Sequence, residues 1–154
     1  MGLKSLQFAL ISALIAIMPA RAEPQHVEAI MAADTAFYAA LSARDLKGMT
    51  AAWADEPYII NIGPRSKTMN VGAAEVAKYW EGAFAFFSEI NVTKSNAHVR
   101  TDGNLAWVTG NESAVLQPKT GGNPLKFETF VTHVFERQGD RWLLVLHHAQ
   151  MIPN

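Results

Sequence analysis

Beyond Ser88 the chain changes texture. Ile90 to Arg100, Leu105 to Leu116, Phe127 to Glu136 and Trp142 to Ile152 are rich in β-branched residues or alternate apolar with polar ones, the period-two signature of strands. Four strands in succession need an apolar layer to lie against, and the residues ahead of them must supply it. Val27, Ile30, Met31, Phe37 and Leu41 recur at helical spacing, with Glu28, Asp34 and Arg44 off that stripe. Asp45 is placed to cap a short second helix carrying Leu46, Met49 and Trp53 before Pro57. A strand at Tyr58 to Ile62 and a polar loop from Gly63 to Asn70 precede a third helix marked by Val76, Trp80, Ala83, Phe84 and Phe87. Phe84, Phe86 and Phe87 are expected in the core. Helices grouped before antiparallel strands predict an α+β fold.

The last hairpin can be registered from its turn. If Gly139-Asp140 is a two-residue loop, Gln138 faces Arg141. Counting outward then puts Glu136 with Leu143, Val134 with Val145, Thr132 with His147 and Phe130 with Ala149 on one face. The other face carries Phe135 with Leu144, His133 with Leu146 and Val131 with His148. A face bearing Trp142, Phe135, Leu144 and Leu146 is too apolar for water, so a homodimer through that outer sheet face is expected.

Composition narrows the chemistry. The 154 residues carry 13 Lys+Arg against 14 Asp+Glu and no cysteine. There is no basic excess for nucleic acid, no disulfide framework, no thiol nucleophile and no Cys-based zinc site. Lys4, the apolar run Phe8 to Met18 and Ala20-Arg21-Ala22 have the form of a signal peptide. Eleven residues span roughly 16 Å as a helix, against a hydrocarbon core of about 30 Å. The expected organisation is therefore a signal peptide over 1–22 and one domain over 23–154, periplasmic or secreted after cleavage near Ala22, with no membrane span in the mature chain.

The stretch Tyr38-Ala39-Ala40-Leu41-Ser42-Ala43-Arg44-Asp45-Leu46, the run Trp53-Ala54-Asp55-Glu56 and the ending Arg141-Trp142-Leu143 to His147-His148, set in this order of helices and strands, resemble the SnoaL-like and ketosteroid-isomerase-like group. The resemblance implies the fold of nuclear transport factor 2: three N-terminal helices on a strongly curved, mostly antiparallel sheet, cone-shaped, with an internal pocket. It does not imply one activity, because the group includes isomerases, cyclases, hydrolases, ligand carriers and assembly domains.

Ketosteroid isomerase combines a carboxylate base with an oxyanion hole made by a tyrosine and a protonated aspartic acid. Carried over on Leu41, Asp45 and Trp53, the tyrosine falls at Phe37 and the base at Asn61; carried over on the last hairpin, the aspartic acid falls at Thr132. A phenyl ring donates no proton and a carboxamide is no base near neutral pH, so steroid isomerisation is not expected. The resemblance places Tyr79 and Trp80 on the pocket wall. Asn61 is either a pocket group or a strand-end residue bonding its own backbone, and Trp53 either core or wall.

His147, opposite Thr132 in the hairpin register, is the one weak catalytic candidate; His133 and His148 fall together on the other face. Glu112 is a buried acid if its face is inward and a solvated charge if outward, and the neighbouring Asn111 and Ser113 favour outward. The expected ligand set is Phe37, Trp53, Asn61, Tyr79, Trp80, Thr132 and His147, with no metal site and no cofactor implied. Three readings follow: a domain binding a small apolar or aromatic molecule, which leads; an enzyme of isomerase, cyclase or hydrolase type with a histidine base; and a dimerisation module.

Overall fold

A computed structural model describes residues 24–153; the expected signal segment lies outside the described residues. Helix α1 (Pro24–Ala43) and the short α2 (Leu46–Ala52) lead into strands β1 (Ile60–Ile62) and β2 (Asn70–Val71). Helix α3 (Ala73–Phe86) is followed by four strands: β3 (Phe87–Asp102), β4 (Leu105–Pro118), β5 (Leu125–Gln138) and β6 (Arg141–Met151). The strands form one sheet in the order β2-β1-β6-β5-β4-β3. β1 runs parallel to β6 and the other neighbours are antiparallel, so the sheet is mixed.

This is an α+β fold with three helices packed on a mixed sheet, and it corrects the expected cone. The sheet is open, with β2 and β3 at its two edges, and does not curl back on itself. Closure requires the last strand to pair with the first. Here one edge is a strand of two residues, far too short to meet the 16-residue β3.

The helices cover one face. Ile30, Phe37 and Leu41 of α1, Met49 of α2 and Val76, Trp80 and Phe84 of α3 are buried against Ala106, Val108, Phe135 and Leu144 of the sheet. The α3 residues lie four apart on one helical stripe, which is why that helix docks by a single face. Phe86, on the opposite side, is exposed rather than in the core.

The turn at Gly139-Asp140 is the two-residue loop the sequence suggests, with Gln138 opposite Arg141 and Phe135 opposite Leu144. The counted register then fails. A β-bulge leaves Val145 without a partner, and the ladder resumes with Val134 opposite Leu146. An extra residue in one strand exchanges its faces beyond that point. His147 therefore lies opposite His133, and Thr132 lies opposite His148. His133 and His147 point into the core, whereas His148 is exposed.

The expected dimer face is corrected with it. Phe135, Trp142 and Leu144 belong to the buried core of the chain itself. The exposed large apolar side chains of the sheet are instead Val71, Leu105, Trp107, Val115, Phe130 and Met151. Leu144→Ala should lower stability by about 2–5 kcal/mol, as for a leucine removed from a packed core, read as a lower urea midpoint. An unchanged midpoint with a changed oligomeric state would place Leu144 on a surface after all.

Candidate functional site

Asp34 lies four residues after Ile30 and three before Phe37, on the core-facing stripe of α1, and its side chain is 4 % exposed. A carboxylate there must find partners. Lys94 of β3 supplies one: its ammonium, 7 % exposed, donates to both Asp34 oxygens at 2.9 and 3.0 Å. His133 of β5 supplies the other, its Nδ1 lying 2.6 Å from Asp34 Oδ1. The second nitrogen of His133 is 2.8 Å from Nδ1 of His147 on β6. Three elements thus converge on a continuous chain, Asp34 to His133 to His147.

The charges assign the protons. Burial favours the neutral acid at Asp34, but the hydrogen bond and charge interaction with His133, then Lys94, outweigh it and hold the carboxyl below its ordinary range. Burial pushes His133 below the usual histidine value despite Asp34. His147 is held well below it, by burial first and then by the neighbouring His133, His148 and Lys94. With Asp34 ionised and both rings neutral, His133 donates from Nδ1 and accepts at Nε2 from the Nδ1–H of His147. The lone pair of His147 is then on Nε2, which has no hydrogen-bond partner among the described residues.

That ring opens on a cavity of about 90 Å³ lined by Leu41, Tyr79, Trp80, Ile90, Phe127 and other apolar side chains, with Glu112 as its second acid–base group. Glu112 faces inward and is buried, which overturns the expectation of a solvated charge. Tyr38 donates to one of its oxygens and Thr129 to the other, each at 2.6 Å. Burial, then the charge and hydrogen bond of Glu112, push the Tyr38 hydroxyl far above its ordinary value, so it stays a donor. Burial also raises Tyr79, with Ser66 and Asn61 pulling the other way.

The expected site residues divide. Tyr79, Trp80 and His147 line the cavity. Phe37 is fully buried behind it, 4.7 Å from the His133 ring and 5.4 Å from that of His147. Trp53 belongs to a second cavity, of about 200 Å³, on the other side of Trp80. Asn61 is fully buried, and among the described residues neither polar atom of its carboxamide has a hydrogen-bond partner. Thr132 lies beside Thr109 and His148 on the opposite sheet face and is not brought to the site, because β5 turns Thr129, Val131, His133 and Phe135 inward and the alternate residues outward. Sequence reasoning missed Asp34, Lys94, Tyr38 and Thr129 and set His133 on the wrong face. The helical spacing of Asp34 with Ile30, Phe37 and Leu41 could have found the first.

The depressed imidazoles set the acid limit. Above the ordinary histidine value of 6.5 folded and unfolded chains are alike at these rings. Below it the unfolded rings take up protons that the folded ones refuse, so their contribution to stability is full above that pH and is lost as pH falls toward the folded values. Asp34 has the same sign in a lower window: its contribution is full above the ordinary 3.8 and is lost as pH falls through its lowered value. The unfolding free energy, followed by the denaturant midpoint, should therefore fall between about pH 7.5 and pH 5, by at most about 1.4 kcal/mol per pH unit for each proton. His147→Gln should flatten this slope; a variant as steep as wild type would contradict the assignment.

Among known proteins, residues 30–153 match the family described as SnoaL-like domain. A curated relative, the F-box protein SKIP8 of Arabidopsis thaliana, is 27% identical over 124 residues, 80% of this chain and 50% of that protein; the chain spans about half the length of this relative. A proposed dehydratase of the NTF2-like family from Streptomyces avermitilis superposes with a TM-score of 0.78 at 25% identity, covering 86% of this chain and 100% of that one. A proposed calcium/calmodulin-dependent protein kinase type II association domain from Thiobacillus denitrificans gives 0.67 at 28% identity, over 80% of this chain and 94% of that one. The match covers every element from α1 to β6, and the chain belongs to the SnoaL-like domain family, within the NTF2-like fold group that also holds ketosteroid-isomerase-like proteins.

Proposed function

We propose that this domain binds a small, largely apolar molecule in the cavity beside Trp80 and moves a proton on it, with His147 as general base. The observation that carries this is the relay Asp34–His133–His147, whose terminal Nε2 has no partner among the described residues and whose ring borders the cavity. When Nε2 takes a proton, the new positive charge is shared through His133 toward Asp34, which the relay holds ionised. A binding domain needs none of this, and burying an aspartate, a lysine and two histidines carries a desolvation penalty that simple packing would avoid. The kinship with a proposed dehydratase supports proton abstraction with loss of water, or the related isomerisation, as the reaction type. Steroids are poor candidates, since a cavity of about 90 Å³ falls well short of the roughly 300–1,000 Å³ of sites for drug-sized ligands.

The test is hydrogen–deuterium exchange or elimination, followed by NMR, across a panel of hydroxy-, keto- and amino-substituted compounds of roughly six heavy atoms or fewer. Wild type should turn over members of the panel, His147→Ala should lose about 10²–10⁴-fold in rate, and Asp34→Asn should lose activity through the wrong ring tautomer. Undiminished turnover by His147→Ala would overturn the assignment. Export after cleavage near Ala22 remains part of this reading.

Self-association is a second part of it. It is supported by the exposed Leu105, Trp107 and Phe130 on the uncovered sheet face and by the likeness to a proposed association domain. Light scattering should report a dimer that Trp107→Asp dissociates; a wild type that stays monomeric at high concentration would refute it.

A further inference from the structure

Charge bookkeeping around the cavity singles out Glu112. Its two oxygens each accept a hydroxyl hydrogen bond at 2.6 Å, from Tyr38 and Thr129, which is the bonding of a carboxylate rather than of a carboxylic acid. Tyr38 and Thr129 bring hydrogen bonds but no positive charge. Lys94 lies directly across from Glu112 in the β3–β4 ladder. Its ammonium, however, is held by both oxygens of Asp34, and among the described residues no Lys, Arg or His nitrogen lies within 4.0 Å of Glu112. One cation is thus set against two buried carboxylates while His133 and His147 stay neutral, and the cluster carries one negative charge without a counter-charge. A buried charge left in that state is costly unless something completes it.

The cavity shows what could. Among the described residues no lysine or arginine lines it, and its walls include Tyr79, Trp80, Phe87 and Phe127. Aromatic faces attract cations electrostatically, and Glu112 supplies the point charge. Its walls also carry the hydroxyl of Tyr79 and the unpartnered indole N–H of Trp80, but the one full charge on them is that of Glu112, with Nε2 of His147 as a second acceptor, so a ligand is recognised first by the charge it brings. About 90 Å³ is roughly three water volumes, room for a handful of heavy atoms.

We infer that the cavity selects a small organic cation, a protonated amine on an apolar body of roughly four or five carbons, with its ammonium on Glu112 and its carbon body among the aromatic walls. Carboxylates and phosphates of the same size are rejected, because they meet an acid with no cation beside it. This inference rests on the reading of the cavity as the ligand site and not on His147 as a base.

The probes are n-butylamine, n-butanol and butyrate, near-isosteric and respectively positive, neutral and negative at neutral pH. Each is titrated into the full-length protein at constant ionic strength, with the indole N–H resonance of Trp80 as readout. Butylamine should bind at least about tenfold more tightly than butanol, the equivalent of roughly one close charge pair, and butyrate should leave the resonance unmoved. Glu112→Gln should remove the preference for the amine over butanol. Butanol equal to or above butylamine, or butyrate binding at all, would overturn the inference while leaving the cavity a ligand site; silence from all three would overturn both. The ranking on the wild-type protein decides the matter even if Glu112→Gln does not fold.

Discussion

The carboxylate of Asp34 is the constraint around which the site is arranged. Placed on the core stripe of α1, it requires charge and hydrogen bonds from the sheet, and it takes them from two strands, β3 through Lys94 and β5 through His133. Helix and sheet are joined there by directional contacts as well as by apolar packing. Such contacts fix the rotation of α1 on the sheet more sharply than burial of Ile30 and Phe37 can, since apolar packing is tolerant of small slides and hydrogen bonds are not. Removing Asp34 would break the buried pair with Lys94, a loss of about 3–5 kcal/mol by comparison with broken buried pairs. Stability and chemistry are coupled through one side chain.

Much of the architecture was legible in the order of patterns. Helical spacing ahead of Pro57, the density of aromatics near Trp80 and four alternating runs after Ser88 fix the elements and their class, and the turn at Gly139-Asp140 fixes the start of the last hairpin. The cone with its strongly curved sheet was not legible: it came from the resemblance, and the edge strand β2 is too short for it. The site was half legible. His147, Tyr79 and Trp80 are at the cavity, whereas Thr132 is not, because both faces of β5 carry apolar residues and their pattern does not say which one the helices cover; the bulge at Val145, which nothing in the composition of β6 signals, is what puts His147 on the side of His133. Asp34 was misread for a different reason: a charged residue is assigned to solvent by default, and the spacing that contradicts this carries less weight than its charge.

Two groups of buried acids and hydroxyls meet the same small space from different sides. Asp34 acts at a distance, through two rings, and its charge is answered by Lys94. Glu112 acts directly at the cavity and its charge is not answered. A pocket with one compensated and one uncompensated carboxylate would, in the reading proposed above, separate the tasks of moving a proton and holding a substrate, which a single acid performs poorly because each task asks for a different protonation behaviour.

The bulge at Val145 bears on how relatives of this chain are compared. Alignments score substitutions position by position and treat a strand as an unbroken row, but here the inside and outside of β6 trade places at one residue. Two chains with identical residues around the His147-His148 doublet present different imidazoles to the interior if only one of them carries the bulge, and a gapless comparison would record no difference between them. In this hairpin the parity of the residue count, rather than the residue itself, decides which histidine meets His133.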